Sequence, residues 1–112
     1  MVDSTHQPSI YYKQLYDCIM TIEEFIGDLS PDEFIGDKKT FHACLILLVH
    51  IWEIISKMKK YHIDLPIPDH QKIVDMRNFL AHQYIEIRPS LVRRTIFEDI
   101  PQLKSIIIAL LD

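Results

Sequence analysis

The sequence predicts an all-α protein, and three observations carry that prediction. The 112-residue chain contains only two glycines, and 48% of its residues are hydrophobic. Helix-favouring Leu, Ile, Lys and Glu fill long segments between a few proline-containing connections. Apolar residues recur every three or four positions, which is the spacing of one face of a helix. Together these features favour a single domain over residues 1–112, folded as a mostly antiparallel four-helix bundle.

Two features define the first third of the chain. An apolar stripe predicts a long helix from about Ile10, and it consists of Leu15, Ile19, Ile22, Ile26 and Leu29. Ser30, Pro31 and Glu33 then supply an N-cap, a first-turn proline and the carboxylate of a capping box. The sequence therefore predicts a short second helix that ends near Gly36.

A second long helix is expected from residues 37–40 to about Tyr61. Its apolar stripe consists of Phe41, Leu45, Leu48, Trp52, Ile55 and Met58, and further apolar residues flank that stripe. So broad an apolar surface is typical of a central helix, or of one that also contacts a second subunit. Four aromatic residues could stack on the bases of a nucleic acid, but their helical spacing favours core or dimer contacts: Tyr11, Tyr12, Tyr16 and Trp52.

Prolines divide the second half of the chain. Residues 64–68 contain two prolines and cannot continue a helix. A third long helix is expected from His70 to about Tyr84. Ser90 is the expected cap of a fourth helix, which Pro101 should kink before a final apolar stripe.

Charge is distributed unevenly along the chain, whose formal net charge is −4. Residues 1–36 hold seven acids and one lysine, residues 37–64 three acids and five lysines, and residues 65–112 six acids and six bases. This balance excludes binding of nucleic acid by bulk charge, so any RNA contact must be local or shared with a second subunit. The local candidates are Arg77 with Lys72, Arg88, Arg93 or Arg94. The acidic first third is a solvated face or a docking surface for a basic partner.

Nothing in the sequence predicts export or membrane insertion. Residues 1–7 are polar and lack the apolar core of a secretory signal. The longest apolar run, residues 43–49, is short and is surrounded by histidines and a glutamate, so we expect it not to span a membrane. Cys18 and Cys44 lie on apolar helical stripes and are expected to be reduced thiols of a cytoplasmic protein.

The six histidines do not predict a metal site. His42 and His50 are eight residues apart, which is about 12 Å along a helix and too far for one ion. His62 and His70 flank the proline connection, and nothing nearby in the sequence supplies the remaining ligands. We therefore expect neither a metal nor a cofactor.

The most concentrated chemistry lies in residues 77–84, which include Arg77, Asn78, His82 and Tyr84. A guanidinium grips phosphate with a planar fork of donors, and an imidazole moves protons near neutral pH. The pair therefore suits phosphodiester cleavage without a metal. An arginine and a histidine near a helix C-terminus are also common surface residues that the helix dipole stabilises. Spacing alone leaves both a catalytic and a structural role open.

A helical wheel separates the residues of this motif. Tyr84 falls on the apolar stripe, whereas Asn78 and His82 share a face directed away from the core. Arg77 and His82 diverge by about 140°, so one straight helix does not bring them together. Two copies facing each other across a dimer would do so, and a two-fold axis would double the local positive charge.

Four segments make the sequence resemble the HepT-like branch of the HEPN proteins, small helical toxins of bacterial and archaeal toxin–antitoxin pairs. They are residues 22–25, Phe34 with residues 37–40, residues 76–84 and residues 97–104. Residues 77–84 match the family's R-x-x-x-x-H-x-Y signature. Residues 51–54 depart from the family's small-residue pattern because they include the bulky Trp52, so we expect helix packing or the dimer cleft to differ in detail from the family's.

The resemblance implies a homodimeric, metal-independent endoribonuclease of a HEPN-type bundle, with Arg77 and His82 of both subunits lining a cleft. His82 would act as general base or acid on the ribose 2′-hydroxyl, and Arg77 would stabilise the charged transition state. Asn78 would orient His82 or the phosphate. The expected product ends are a 2′,3′-cyclic phosphate and a 5′-hydroxyl.

The resemblance also implies a partner, as in a type VII-like toxin–antitoxin system. An MntA-like nucleotidyltransferase antitoxin would attach AMP to Tyr84, and the added charge and bulk would block RNA. For this modification Tyr84 must be accessible, so we expect the third helix to end close to it. The alternative is a non-catalytic binding subunit of a minimal nucleotidyltransferase.

Overall fold

The computed structural model describes residues 7–66 and 88–112. Five α-helices and one π-helical turn occupy these ranges: α1 (Pro8–Ile26), α2 (Pro31–Gly36), α3 (Lys38–Lys60), α4 (Pro89–Arg94), the π-helical turn (Thr95–Asp99) and α5 (Ile100–Leu111). No strand occurs within the two ranges. The prediction of an all-α protein is therefore confirmed for the described chain, while the predicted third helix from His70 to Tyr84 lies outside the described residues.

Helix α1 ends before its apolar stripe does. Its buried face consists of Tyr11, Leu15, Ile19 and Ile22. Gly27 follows the last helical residue and has a φ of 54°, a backbone conformation that residues with a Cβ rarely adopt. Its amide donates a hydrogen bond to Glu23 O. Leu29, predicted to continue the stripe, therefore lies beyond the helix.

The start of α2 confirms the predicted capping box, and α3 begins within the predicted range at a cap that was not predicted. Ser30 Oγ accepts a hydrogen bond of 3.1 Å from the amide of Glu33, and Glu33 Oε1 accepts one of 3.0 Å from the amide of Ser30. Asp37 Oδ1 accepts a bond of 3.1 Å from the amide of Thr40, which caps α3. The reciprocal cap of α2 and the single cap of α3 fix where each helix begins, so local sequence orders the short connection between α1 and α3.

Helix α1 packs against both α3 and the C-terminal helix, the name used here for residues 89–111. The rings of Tyr11 and Tyr61 lie 6.5 Å apart, so the start of α1 meets the end of α3. Lys104 Nζ lies 2.8 Å from Glu23 Oε1, so the end of α1 meets the later part of the C-terminal helix. The contact between the start of α1 and the end of α3 shows that these two helices run antiparallel, and both share one apolar core with the C-terminal helix.

Helix α3 buries one broad stripe against this core: Phe41, Cys44, Leu48, Ile51, Trp52, Ile55 and Met58. Leu45, predicted to belong to the stripe, is only partly buried, because Cys44 and Ile51 take the central positions instead. The side chain of Trp52 is 4% exposed, so it is a core residue and is not available for base stacking.

The length of α3 corrects one expectation about membranes. Its 23 residues include an 18-residue window with a mean hydropathy of 1.5, so by length and composition alone α3 could cross a membrane, contrary to the expectation from its central apolar run. The core helix of a helical domain has the same composition. Seven of the residues of α3 are buried, and this packing accounts for its hydropathy.

The C-terminal helix begins one residue before its predicted cap and changes type in the middle. Arg88 is the N-cap and Pro89 the first helical residue, so the prediction of Ser90 as the cap is wrong. Pro89 suits the first position because its fixed φ is helical and its missing donor would be unsatisfied there. The interruption predicted at Pro101 is the π-helical turn just before it, where the amide of Ile100 donates to Thr95 O.

Candidate functional site

All four residues of the predicted catalytic motif lie outside the described residues: Arg77, Asn78, His82 and Tyr84. Lys72, one of the predicted RNA contacts, also lies outside them. The described chain resumes at Arg88, four residues after the motif tyrosine. The structure therefore describes the segment that follows the motif. This segment includes the remaining predicted RNA contacts, Arg88, Arg93 and Arg94.

A groove of about 570 Å³ lies between the start of α2 and the first turns of the C-terminal helix. The α2 side contributes Ser30 and Asp32. The C-terminal helix contributes Ser90, Arg93, Arg94 and Phe97. These four positions are spaced i, i+3, i+4 and i+7, which places them on one face of a helix. The groove thus combines hydroxyl, guanidinium and aromatic groups on one wall.

An ion pair crosses the groove. Arg93 Nη1 donates a hydrogen bond of 2.7 Å to Asp32 Oδ1. The side chain of Arg93 is 42% exposed and that of Asp32 is 88% exposed, so water screens the pair. An exposed pair of this kind contributes about 0–1 kcal/mol to stability. Another anion can therefore replace the Asp32 carboxylate at little cost to the fold.

Arg94 and Glu98 carry the other charges of the groove. Both residues are exposed. The Arg94 side chain forms no ion pair or hydrogen bond with the described residues. With Asp32 and Glu98 opposing Arg93 and Arg94, the groove has no net charge, so any attraction for an anion depends on geometry rather than on excess positive charge.

Three phenylalanine rings hold the groove's two walls together. Phe34 of α2 is fully buried, and its ring centroid lies 5.5 Å from that of Phe41 and 5.6 Å from that of Phe97. The contact with Phe97 is edge to face, with an interplanar angle of 72°. Phe97 is only partly buried, because the rest of its ring lines the groove. The aromatic cluster thus fixes the floor on which the polar side chains stand.

The π-helical turn sets the direction of the groove's second wall. Thr95 Oγ1 donates a hydrogen bond of 2.9 Å to Leu91 O, and the turn then widens to a spacing of five residues at Ile100. Such turns change the register of a helix, so the buried positions before and after it align differently. Val92, Ile96, Ile100 and Leu103 consequently all reach the core while the groove residues stay on the surface.

A smaller cavity of about 370 Å³ lies at the end of α3, where Lys59, His62 and Asp64 are among the residues that line it. It contains too few ligands of the right type for a metal, and no group of three or more His, Cys, Asp or Glu side chains that could hold an ion occurs in the described ranges. His42 is exposed, and its Nδ1 lies 2.7 Å from Lys38 O.

The two cysteines are free thiols, as predicted. Burial raises the pKa of the Cys44 thiol to about 11. Burial, and secondarily the charge of Asp17, also raises the pKa of the Cys18 thiol. Both thiols are therefore protonated near neutral pH, and neither is a nucleophile candidate.

Sequence reasoning identified Arg93 and Arg94 but missed Ser30, Asp32 and Phe97 as groove residues. Ser30 and Asp32 were accounted for locally, as the cap and first turn of α2. Asp32 pairs with Arg93, which lies 61 positions later in the chain, so no local pattern could reveal this pairing. The regular spacing of Ser90, Arg93 and Phe97 was a usable signal, because it places polar and aromatic groups opposite the apolar stripe.

The helical fold of the described residues and the motif in residues 77–84 define a class: small helical proteins of the HEPN type. Residues 15–110 match the family model described as ribonuclease HepT-like. The chain belongs to this HepT-like family, as the resemblance predicted.

Two relatives support this assignment. A protein of Thermococcus cleftensis named "Probable ribonuclease HepT" is 32% identical over 98 residues, which cover 84% of this chain and 86% of the relative. A protein of Methanocaldococcus jannaschii named "Putative RNase" is 30% identical over 98 residues, which cover 80% of this chain and 86% of the relative. No solved structure shows a significant match to this chain.

Proposed function

We propose that this protein is a metal-independent endoribonuclease whose reaction depends on Arg77 and His82. The observation that carries the proposal is the complete R-x-x-x-x-H-x-Y motif in a chain that belongs to the HepT-like ribonuclease family. His82 removes the proton from a ribose 2′-hydroxyl, and the 2′-oxygen attacks the adjacent phosphorus atom. The bond from phosphorus to the 5′-oxygen breaks as that oxygen takes a proton from the imidazolium so formed or from water. Arg77 stabilises the additional negative charge on the phosphate oxygens, and Asn78 orients His82 or the phosphate.

The site is half of a symmetric one in this proposal. Two chains, each a single domain spanning residues 1–112, pair so that both copies of Arg77 and His82 line one cleft. The net charge of −4 supports the pairing, because a single chain gathers little positive charge. The exposed apolar side chains of α3, Ile46 at 60% and Val49 at 37%, offer surface that a second subunit would cover.

Tyr84 is the proposed point of control. A nucleotidyltransferase antitoxin of the MntA type transfers AMP to its hydroxyl, and the phosphate places negative charge beside a cleft that must accept RNA. The protein then acts as the toxin of a cytoplasmic toxin–antitoxin pair of the type VII kind. The alternative is a non-catalytic binding subunit of a nucleotidyltransferase, which the exposed acidic residues of the first third favour, among them Asp17, Glu24 and Asp28.

RNA cleavage by purified variants tests the proposal. We expect His82→Ala and Arg77→Ala to lower the cleavage rate at least about a hundredfold, the usual contribution of a general acid–base group or a charge-stabilising donor. His42→Ala is the matched control, since His42 is exposed on α3, where its ring lies beside a carbonyl of its own helix and the neighbouring Phe41 ring. Equal cleavage by the wild type and His82→Ala would remove His82 from the mechanism. Absence of cleavage by the wild type, together with a stable complex with a nucleotidyltransferase, would favour the binding subunit.

Mixing two inactive variants tests the shared site. A mixed dimer of Arg77→Ala and His82→Ala retains one intact arginine and one intact histidine on opposite subunits. If the reaction takes these groups from different chains, mixing restores part of the activity. Verified mixed dimers without any recovery would show that each chain must supply both groups.

A further inference from the structure

We propose that the groove between α2 and the C-terminal helix binds the backbone of single-stranded RNA, and that Asp32 limits this binding by competing with RNA phosphates for Arg93. The inference rests on the proposed ribonuclease function, since it assigns a place where the substrate is held outside the cleavage motif. It adds residues that the motif does not contain.

The donors on the wall of the groove fit a phosphodiester. Ser90, Arg93 and Arg94 lie on one face of the C-terminal helix and line the groove together. Each guanidinium presents a planar fork of donors that can bond two phosphate oxygens at once, and a serine hydroxyl adds a further donor. Arg94 is exposed and has no ion-pair partner among the described residues. Its guanidinium can therefore donate to a phosphate without first losing an ion pair with one of those residues.

Phe97 makes the groove suitable for a single strand rather than for an isolated anion. Its ring is held edge-on by Phe34 at 5.6 Å, and its remaining surface lines the groove beside the two arginines. Single-stranded RNA is bound by this combination, in which aromatic rings stack on bases while cations contact the backbone. A rigid ring loses little conformational entropy when a base stacks on it.

The chain connects the groove to the cleavage motif. Tyr84 and Ser90 are separated by six residues, and a segment of that length spans at most about 22 Å. A strand of a few nucleotides is long enough to contact both. The groove therefore lies within the reach of an RNA held at the motif.

Asp32 gives the groove an internal competitor. Its carboxylate holds Arg93 at 2.7 Å, but both side chains are exposed, so water screens the pair and weakens it. A phosphate that replaces the carboxylate restores the same charge-assisted bonds, and each neutralised phosphate releases counterions from the RNA. Removing the carboxylate charge should thus strengthen RNA binding, which a purely structural role of the pair would not produce.

Fluorescence anisotropy with a labelled single-stranded RNA of about 12 nucleotides measures the binding. The His82→Ala protein serves as background, so that the RNA stays intact. In this background Arg94→Ala should weaken binding about five- to tenfold, the loss of one charge-assisted contact, and should reduce the salt slope by about 0.7. Lys13→Ala removes one positive charge at an exposed position of α1 outside the groove and is the control.

The opposite change uses Asp32→Asn, with Asp28→Asn as its control. Both substitutions make the net charge more positive by one unit, but only Asp32 lines the groove. We expect Asp32→Asn to strengthen RNA binding about threefold, the release of an exposed pair worth a fraction of a kcal/mol, and Asp28→Asn to change it little. Equal effects of Arg94→Ala and Lys13→Ala, or of Asp32→Asn and Asp28→Asn, would overturn the assignment of the groove.

These results separate the two proposals. If the wild type cleaves RNA but the groove variants bind as their controls do, the groove proposal fails and the nuclease proposal stands. If the groove variants shift binding as expected but the wild type does not cleave, the groove stands as an RNA-binding site and the nuclease proposal fails. Unchanged RNA binding together with loss of a protein complex in Arg94→Ala would overturn the RNA assignment in favour of a protein partner.

Discussion

The hydroxyl of Tyr12 donates a hydrogen bond of 3.0 Å to the backbone carbonyl of Asp64, a residue 52 positions later in the chain. The bond fastens the first turns of α1 to the segment that follows α3. We expect Tyr12→Phe to lower the free energy of unfolding by about 0.5–1 kcal/mol, the low end for a hydrogen bond, because the carbonyl is exposed and water can replace the hydroxyl. Urea denaturation measures this change.

Tyr16→Phe is the control for that measurement. Tyr16 lies one helical turn further along α1, packs against the same core, and has no hydroxyl bond recorded within residues 7–66 and 88–112. We expect its unfolding free energy to match the wild type. If Tyr12→Phe and Tyr16→Phe are equally stable, the long-range bond does not contribute to the fold.

The two glycines are expected to respond in opposite directions to alanine. Gly27 has a φ of 54° and a ψ of −123°, which is strained for any residue with a Cβ even though the nearest atom to that Cβ would lie 4.0 Å away. Gly27→Ala should therefore destabilise the protein by about 1–3 kcal/mol. Gly36 lies in α2 with nothing within 4 Å of an added Cβ, so Gly36→Ala should stabilise the protein by about 0.5–1 kcal/mol.

Thermal and urea denaturation of both glycine variants provide the comparison. Because each variant adds one methyl group in open space, a difference between them reports backbone conformation rather than packing. Destabilisation of similar size in both variants would contradict this account of how α1 ends.

The fold was predictable wherever one local signal decides it. The capping box of Ser30 and Glu33 was predicted because it joins residues three positions apart, whereas the equally local cap of Asp37 was not predicted. Burial within α3 was less predictable: the stripe centres on Cys44 and Ile51 rather than on Leu45, because α1 approaches from one direction that a wheel alone does not define.

The candidate site also has a part that local sequence predicts and a part that it does not. The motif of Arg77 and His82 is local and could be identified, but its geometry depends on residues outside the described ranges. The groove depends on the contact between Asp32 and Arg93, which are 61 positions apart. This contact follows from the packing of Phe34 of α2 against Phe41 and Phe97, and no local sequence pattern predicts it.

The Cys44 thiol makes stability depend on pH in the alkaline range. Its pKa in the folded protein is about 11, above the ordinary value of 9.0, because burial disfavours the thiolate. The folded state therefore binds this proton more tightly, so the stabilisation is fully present below pH 9 and is lost as the pH rises through 11. Its upper limit is about 2–3 kcal/mol.

Comparing Cys44→Ala with the wild type between pH 8 and about pH 10.5 isolates this thiol, since other groups titrate in both proteins. We expect the wild type to lose more stability than the variant over that interval. At pH 8, alkylation should modify the partly exposed Cys18 faster than the buried Cys44. Parallel pH profiles would contradict the burial argument.

Cleavage should not require a metal ion. If His82 and Arg77 supply the proton transfer and the charge stabilisation, saturating EDTA leaves the rate of RNA cleavage unchanged and the products carry 2′,3′-cyclic phosphate and 5′-hydroxyl ends. A chelator control with a known magnesium-dependent nuclease verifies that the metal was removed. Loss of activity with EDTA and recovery with Mg²⁺ would contradict the proposed mechanism.

His62 occupies a position at the end of α3 that favours glycine. Its φ is 57°, its amide donates to Lys59 O at 3.2 Å, and the next amide, of Ile63, donates to Met58 O at 2.8 Å. These bonds form a Schellman motif with histidine at the left-handed residue. We expect His62→Gly to stabilise the protein by about 0.5–1 kcal/mol and His62→Val to destabilise it by more than about 1 kcal/mol, because a β-branched side chain is least compatible with this conformation. Urea denaturation of the three proteins gives the order, and a His62→Gly variant less stable than the wild type would show that contacts of the imidazole outweigh the backbone strain.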